Sequence, residues 1–170
     1  MCIFGEKGVG KTCLALRYLT GLFGADTKST LGASIHVKYL TIENRKIIIQ
    51  IWDFAGETQF HFLLPSYAFG SFAGIFMYDV TRQSTLKVIN DWFNRFKEGL
   101  KSETRETLLF MVGGKIDLIE QKSVSINDAK NVKTSHKISD YFECSAKTGE
   151  NVEEIFEKIT RIVMQKSGVI

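Results

Sequence analysis

Short apolar runs alternate with amphipathic stretches along the chain. Three runs are apolar at consecutive positions, which is typical of strands buried on both faces: "CIF" at 2–4, "AGIFMYDV" at 73–80 and "TLLFMVGG" at 107–114. "YFEC" predicts a last strand, and the extended stretches 35–42 and 46–53 are separated by a short polar break that favours an antiparallel hairpin. The pattern predicts an α/β fold with a mixed, mostly parallel six-stranded sheet and helices on both faces.

The amphipathic stretches predict the helices. "KTCLALRYL" follows the first strand and is expected to end at Gly21. A second helix, ending at Gly99, is indicated by apolar residues at helical spacing: Leu86, Ile89, Trp92, Phe93 and Phe96. The last helix is predicted to start at Asn151, with Glu154 completing a capping box, and to stop at Gly168. Its expected buried stripe is Val152, Ile155, Phe156, Ile159, Ile162 and Val163.

Composition is that of an ordinary globular domain. Hydrophobic residues make up 44% of the 170, charged residues 24%, and the net charge of +3 is too small to indicate a nucleic-acid partner. The three cysteines lie far apart, which argues against disulfide or zinc frameworks and favours a reducing compartment. We expect one domain spanning 1–170, without nucleic-acid binding.

We also expect a cytoplasmic protein. No apolar run approaches the length that crosses a bilayer, and "MCIF" leaves no room for a signal peptide. The end, "QKSGVI", carries no cysteine for prenylation. Peripheral association with membranes stays open, because a shortened chain could lack either end.

The loop after the first strand reads "GEKGVGKT" and fits the pattern G-x-x-x-x-G-K-T. Glycines in such a loop let successive backbone N–H groups and the helix N-terminus converge on an anion. The lysine neutralises the outer phosphates, and the threonine hydroxyl ligates magnesium. We therefore expect a nucleotide to be bound through six consecutive residues: Gly8, Val9, Gly10, Lys11, Thr12 and Cys13.

Two short segments after later strands address the base: "KID", which is Lys115–Asp117, and "SAK", which is Ser145–Lys147. Both lie at carboxyl ends of strands, where α/β sheets bind ligands. An ionised Asp117 only accepts hydrogen bonds, and guanine offers it N1–H and the 2-amino group, whereas adenine does not. Two such bonds discriminate by roughly 10² to 10⁴ in affinity, and the N–H of Ala146 could add selection for the guanine oxygen. Guanine is favoured, and a P-loop ATPase is the less favoured alternative.

Together these motifs resemble the Ras superfamily of small GTPases over essentially the whole chain, and Rab-type members most. The likeness is carried by five segments: "KSTLGAS", "WDFAGETQF", "MYDVT", "GGKIDL" and "ECSAKTGENVEEIF". The resemblance implies a P-loop NTPase G domain that binds GTP or GDP with Mg²⁺. It also implies effectors, exchange factors and GTPase-activating proteins as partners, through two loops called switch I and switch II.

The resemblance implies roles for four further residues. Phe23 matches the aromatic that packs against guanine, although a phenylalanine packed under a loop is an alternative. Thr30 matches the switch I threonine, which closes on magnesium and the γ-phosphate. Asp53 matches the carboxylate that holds magnesium through water, so the magnesium set is Thr12, Thr30 and Asp53. Gly56 matches the switch II glycine, whose N–H senses the γ-phosphate.

Three positions depart from the family pattern. Gly114 stands where the guanine motif usually begins with Asn, which removes a hydrogen bond of about 0.5–1.5 kcal/mol and a tie to the phosphate loop. Glu57 replaces the glutamine that orients the attacking water; a carboxylate cannot donate to water, and it repels the γ-phosphate. Gln59 is two residues away and is expected to point elsewhere. Lys7 replaces a small residue beside the γ-phosphate.

Three interpretations of Lys7 stay open. Lys7 could offset the charge of Glu57 and supply, within the chain, part of the positive charge of an activator's arginine. Its long side chain could instead block that arginine, or could simply point to water. We expect hydrolysis to depend on Lys11, Thr30, Glu57 and Lys7. The expected function is a switch that slowly hydrolyses GTP, and the alternative is a non-hydrolysing GTP-binding module.

Overall fold

The computed structural model describes residues 1–24, 29–101 and 106–170, and its central feature is a six-stranded sheet. The strands are β1 (Cys2–Phe4), β2 (Ala33–Ile42), β3 (Arg45–Phe54), β4 (Ala73–Asp79), β5 (Leu108–Gly114) and β6 (Asp140–Cys144). Their order across the sheet is β2-β3-β1-β4-β5-β6. Only the β2–β3 pair is antiparallel among the strand pairs of the described residues, so the predicted mixed, mostly parallel sheet is confirmed.

Helices cover both faces of this sheet, as predicted. They are α1 (Lys11–Thr20), α2 (Leu64–Ala68), α3 (Gln83–Lys87), α4 (Ile89–Glu98), α5 (Ile126–Ser135) and α6 (Val152–Lys166). Short 3₁₀ segments span Thr58–Leu63 and Ile116–Gln121. Within the described ranges, no helix combines the length and apolar character needed to cross a membrane.

Two separate cores form because successive side chains of a strand point to opposite faces. Ile3 of β1 joins the core under α1 and α6, while its neighbour Phe4 joins the core under α2 to α5. The second core is rich in aromatic rings, and those of Phe4 and Phe96 stack with centroids 4.9 Å apart. Each buried large side chain contributes about 1.5–3 kcal/mol, so both faces hold the sheet firmly.

The predicted hairpin is present and extends further than expected at its ends. Its turn is the dipeptide Glu43-Asn44, with φ of 50° and 62°. Positive φ at both central positions gives a type I′ turn, whose twist matches that of the flanking strands. Arg45, expected within the polar break, pairs with Ile42 instead.

The helix predicted between β4 and β5 is broken into α3 and α4 at Val88. This residue has a ψ of 8°, and the bond from the Trp92 N–H to the Val88 carbonyl is long, at 3.4 Å. Helical spacing is nevertheless kept across the kink, and all the predicted apolar residues are buried. The sequence predicted the buried face correctly but not the break.

The predicted capping box of the last helix is wrong. Asn151 adopts a left-handed conformation with φ of 61°, and its Nδ2 donates to the carbonyl oxygen of Glu143, 2.9 Å away. Asparagine tolerates this conformation, which reverses the chain after β6 and leaves the side chain unable to cap α6. The other end agrees with the sequence, because Gly168 has φ of 66° and its N–H bonds to the Gln165 carbonyl.

The segment between β3 and β4 lies against two tryptophans. The ring of Tyr67 is 4.5 Å from that of Trp52, and the His61 ring is 4.2 Å from that of Trp92. Trp92 also donates from Nε1 to Glu6 of the glycine-rich loop, at 3.2 Å. This segment, which the family resemblance matches to switch II, therefore lies on aromatic side chains of β3 and α4.

Candidate functional site

The loop that joins β1 to α1 wraps around the side chain of Lys11. Lys11 is only 5% exposed, and its Nζ donates to the carbonyl oxygens of Gly5 and Glu6, both at 2.8 Å. Gly10, which precedes α1, has φ of 103°, a conformation that favours glycine. Burial lowers the pKa of Lys11 to about 8, so an anion held in the loop would favour its charged form.

Thr12, Thr30 and Asp53 form a compact group of oxygen atoms. The Thr12 hydroxyl lies 2.6 Å from Asp53 Oδ2 and 2.7 Å from the Thr30 hydroxyl, and the Thr30 hydroxyl lies 3.4 Å from the same carboxylate oxygen. Asp53 is fully buried, and its Oδ1 has no hydrogen-bond partner among the described residues. Burial raises the pKa of Asp53, although Thr12 and Lys11 oppose the shift. The group fits a small divalent cation, because Mg²⁺ prefers oxygen ligands and uses one or two carboxylates.

Gly56 lies directly against the glycine-rich loop. A Cβ at this position would fall 2.3 Å from the Lys7 nitrogen and 2.7 Å from the Glu6 carbonyl oxygen. Any side chain here would force backbone apart, so the close approach requires glycine. The segment after β3 is thereby held beside the phosphate loop.

Lys7 and Glu57 form an ion pair across this contact. The distance from Lys7 Nζ to Glu57 Oε1 is 2.9 Å, with side chains 62% and 22% exposed. The bond from Lys7 lowers the pKa of Glu57, which therefore stays ionised. This geometry contradicts the interpretation that Lys7 simply points to water. Gln59 is exposed and is not part of the pair, as expected.

These groups surround one cleft of about 270 Å³. Its described lining includes most predicted phosphate-side residues, and Lys115 of the base group joins them: Lys7, Gly8, Gly10, Lys11, Thr12, Cys13, Thr30, Gly56, Glu57 and Lys115. A larger cavity, about 530 Å³, lies elsewhere, at the amino end of β1, where Met1 and Trp52 are part of its mostly apolar wall. The smaller cleft is the candidate site, because lysine side chains and the hydroxyls of Thr12 and Thr30 line it.

The residues predicted to read the base form a second group beside the cleft. The Ser145 hydroxyl donates to Asp117 Oδ1 at 2.6 Å and accepts from the Thr148 N–H at 3.1 Å, which fixes the carboxylate. Ala146 is half-buried and Lys147 is exposed in the turn after β6.

Seven predicted residues are not part of the described lining of the phosphate cleft: Val9, Phe23, Asp53, Asp117, Ser145, Ala146 and Lys147. Phe23 is 38% exposed and lies shortly before the undescribed residues 25–28. Val9 is fully buried beneath the loop, so its contribution to a ligand is restricted to its backbone.

Comparison with known proteins identifies the family. The family model described as "Ras: Ras family" matches residues 1–165. The rat "Ras-related protein Rab-13" is 32% identical over 168 residues, covering 99% of this chain and 81% of the relative. "Ras-related protein Rab-4" of Dictyostelium discoideum is 33% identical, covering 96% and 78%, respectively. "GTP-binding protein ypt3" of Schizosaccharomyces pombe is 31% identical, covering 97% and 77%.

The chain belongs to the Ras family. The resemblance and the P-loop NTPase fold predicted from the sequence are thus confirmed. Two of the relatives named above are Rab proteins, in agreement with the likeness seen in the motifs.

The Ras-family domain also contains residues that sequence reasoning missed. Asp79, at the end of β4, is 1% exposed and lies 2.7 Å from Lys115 Nζ and 3.0 Å from Arg82 Nε. Arg82 in turn donates to the Lys7 carbonyl oxygen at 3.1 Å. An aspartate that ends the apolar run "AGIFMYD" was the available signal, because a buried carboxylate needs positive partners.

Met77 explains how the chain accommodates Gly114. A Cβ at Gly114 would lie 2.5 Å from Met77 Cε and 3.1 Å from the Val9 carbonyl oxygen. The methionine therefore occupies space next to Gly114 that a larger side chain would need, directly below the phosphate loop. The flexible thioether fills such irregular gaps well.

Proposed function

We propose that this chain, a GTP-binding switch protein by its family, holds GTP or GDP with Mg²⁺ at the cleft and hydrolyses GTP slowly. The observation that carries the proposal is the contact of Thr12, Thr30 and Asp53. It joins α1, the segment before β2, and β3 at one point. A ligand that recruits these oxygens therefore acts on several elements together.

The phosphate chain is assigned to the loop and the start of α1. Backbone N–H groups of Gly8, Val9, Gly10 and Cys13 would supply hydrogen bonds, and the helix N-terminus favours negative charge. Lys11 would exchange its two carbonyl partners for phosphate oxygens. Its buried ammonium is strongly attractive to an anion because little water screens it.

We assign Mg²⁺ to Thr12, Thr30 and Asp53. The unpartnered Oδ1 of Asp53 supports this assignment, because a cation would stabilise a carboxylate that burial otherwise penalises. When bound, Mg²⁺ would neutralise negative charge on the phosphates. Thr30 would join only while a γ-phosphate is present, so hydrolysis would release its segment.

The base is assigned to the second group. Asp117, braced by Ser145, would accept from guanine N1–H and the 2-amino group. The Ala146 N–H would bond to the guanine oxygen, while Lys115 and Lys147 would flank the ring. Phe23 is proposed as the opposite, apolar contact.

Slow hydrolysis follows from Glu57. A carboxylate accepts a hydrogen bond from the attacking water but cannot donate one, and it repels the terminal phosphate. Lys7, 2.9 Å away, offsets that charge, and we propose that its long side chain also blocks the approach of an activator's arginine. Lys11 and Thr30 would bind the same phosphate.

Partner proteins are assigned to the switch segments. Four large apolar residues near these segments are exposed: Leu31, Tyr39, Ile48 and Phe62. Apolar side chains left on the surface of this region are suited to binding effectors, exchange factors and GTPase-activating proteins. Their nucleotide dependence would follow from the γ-phosphate contacts.

The nucleotide that co-purifies tests the binding proposal. Chromatography of the denatured protein is expected to release GDP or GTP, and Lys11→Ala should strongly reduce the amount because it removes the phosphate-binding ammonium. Circular dichroism of both proteins controls for folding. Recovery of adenine nucleotides, or failure of added GDP and Mg²⁺ to bind a folded protein, would contradict the proposal.

Single-turnover hydrolysis distinguishes a GTP-hydrolysing switch from a non-hydrolysing GTP-binding module. Protein loaded with GTP and Mg²⁺ is expected to form GDP and phosphate slowly, in one exponential phase. Chromatography of samples taken over hours measures the rate against GTP incubated with the Lys11→Ala variant. Retention of all the triphosphate would instead indicate a non-hydrolysing GTP-binding module.

A further inference from the structure

Lys7 and Glu57 connect the phosphate loop to the residue after Gly56 through side chains alone. Lys7 is more than half exposed, and such pairs contribute little to stability because water screens them. The pair is therefore poorly explained as a folding contact. Its position at the rim of the phosphate cleft suggests another effect.

The backbone beneath the pair is fixed on two sides. Gly56 packs against the Lys7 nitrogen, where a Cβ would come within 2.3 Å, and Arg82 donates to the Lys7 carbonyl oxygen at 3.1 Å. Arg82 is itself held by buried Asp79. The loop at Lys7 is thus anchored, while the exposed end of the side chain can change partner.

We propose that the Lys7–Glu57 pair balances the charge that faces the third phosphate, so that the loss of either member changes the preference of this site for GTP over GDP. The inference rests on the proposed function, since it requires phosphates in the cleft. With GDP, the Lys7 ammonium stays with Glu57. With GTP, the γ-phosphate attracts Lys7 and is repelled by Glu57, so the two charges nearly cancel.

Removing Lys7 and removing the carboxylate of Glu57 should therefore shift the preference for GTP over GDP in opposite directions. Without Lys7, the uncompensated carboxylate of Glu57 repels the third phosphate and weakens GTP binding selectively. Without the carboxylate of Glu57, Lys7 interacts with the γ-phosphate alone and strengthens GTP binding. Exposure and salt screen both effects, so we expect changes of about tenfold at low ionic strength.

The test compares affinities for GDP and a non-hydrolysable GTP analogue, both with Mg²⁺, by calorimetry. Lys7→Ala should lower the analogue-to-GDP affinity ratio about tenfold, and Glu57→Gln should raise it by a similar factor. The double variant should return near the wild-type ratio, and raising the salt concentration should diminish both shifts. Circular dichroism of each variant shows whether the domain remains folded, and the ratio of the two affinities cancels any change that is common to both nucleotides.

A second ion pair supplies the matched control. Lys158 and Glu154 on α6 lie 2.6 Å apart and are exposed, but they are not among the described residues that line the cleft. Lys158→Ala and Glu154→Gln should leave the ratio unchanged. If the wild type binds neither nucleotide, the proposed function fails. If it binds both but the Lys7 and Glu57 variants leave the ratio unchanged, or shift it in the same direction, the charge-pair inference is overturned.

Discussion

Asp79 is a single buried residue on which much of the base-binding region depends. Its carboxylate bonds to Lys115, Arg82 and the Thr81 hydroxyl. Burial raises its pKa, but these bonds outweigh burial and the net pKa is lowered. Asp79 thus stays ionised and holds both the lysine of the guanine motif and an arginine that reaches the phosphate loop.

We expect Asp79→Asn to lower the free energy of unfolding by about 2 kcal/mol, with partial exposure of the cations limiting the loss. Because the folded pKa of Asp79 is lower than the unfolded one, its contribution is full above about pH 4 and is lost as the pH falls through the folded value. Urea denaturation at a series of pH values measures this. Glu98→Gln, at an exposed position of α4, is the control. A wild-type-to-variant difference that persists unchanged into strong acid would contradict this role.

Asp117→Ala should lower the affinity for GDP by roughly 10² to 10⁴ while leaving the weak affinity for ADP unchanged. The loss follows from two charge-assisted hydrogen bonds to guanine. Ser145→Ala should cause a smaller loss, because it removes the brace at 2.6 Å but leaves the carboxylate. Calorimetry with both nucleotides measures these effects. Equal weakening of GDP and ADP would show that Asp117 does not select the base.

At the scale of elements, the neighbouring ends of β4 and β5 lie against the phosphate loop. Their register places Asp79 beside Gly114, and Met77 reaches from β4 toward the phosphate loop. The methionine and the glycine are therefore best understood together. An asparagine introduced at position 114 should therefore fit poorly unless Met77 is also replaced.

Gly114→Asn alone is expected to lower stability by about 1 kcal/mol, because its Cβ would lie 2.5 Å from Met77 Cε, which must move, and 3.1 Å from the backbone oxygen of Val9. Adding Met77→Val should recover stability and, through the restored amide hydrogen bonds, tighten GDP binding by up to about tenfold. Thermal unfolding and calorimetry measure the two effects. Met77→Val alone is the control and should only leave a small cavity. Simple additivity of the two substitutions would contradict the proposed packing conflict.

The elements themselves were largely predictable, since consecutive apolar runs and helical spacing indicate which faces are buried. The break at Val88 and the left-handed Asn151 were not, because both depend on how distant segments meet. Similarly, the sequence placed Lys7 and Glu57 on the same side of the phosphate only through the family resemblance. Spacing alone could not predict that two residues fifty positions apart pair at 2.9 Å.

At the scale of the whole molecule, the sheet separates two halves with different neighbours. The core under α1 and α6 lies away from switch II, whereas the aromatic core carries α2 and contacts both Tyr67 and Leu63. The parallel direction of most strands was predictable from their burial on both faces. The cluster of Thr12, Thr30 and Asp53 was predictable only as a set of family positions, because its oxygen atoms come from three separate elements.

We expect GDP with Mg²⁺ to raise the stability of the entire domain. Ligand at about 100 times its dissociation constant stabilises a folded protein by about 2.7 kcal/mol. Chelation of Mg²⁺ should remove part of this gain, since Asp53 loses its counter-charge. Thermal unfolding by circular dichroism measures both shifts, with ADP and Mg²⁺ as the control. The same midpoint with GDP, with ADP and without nucleotide would contradict the expectation.

The two tryptophans give this molecule an intrinsic optical signal. Trp52 lies against Tyr67 and Trp92 against His61, so both indoles of the chain contact the segment expected to move with the nucleotide. Trp92 also touches Glu6 of the phosphate loop. A change in that segment alters the surroundings of both fluorophores, so exchange and hydrolysis should be readable as emission changes in real time, without attaching a dye.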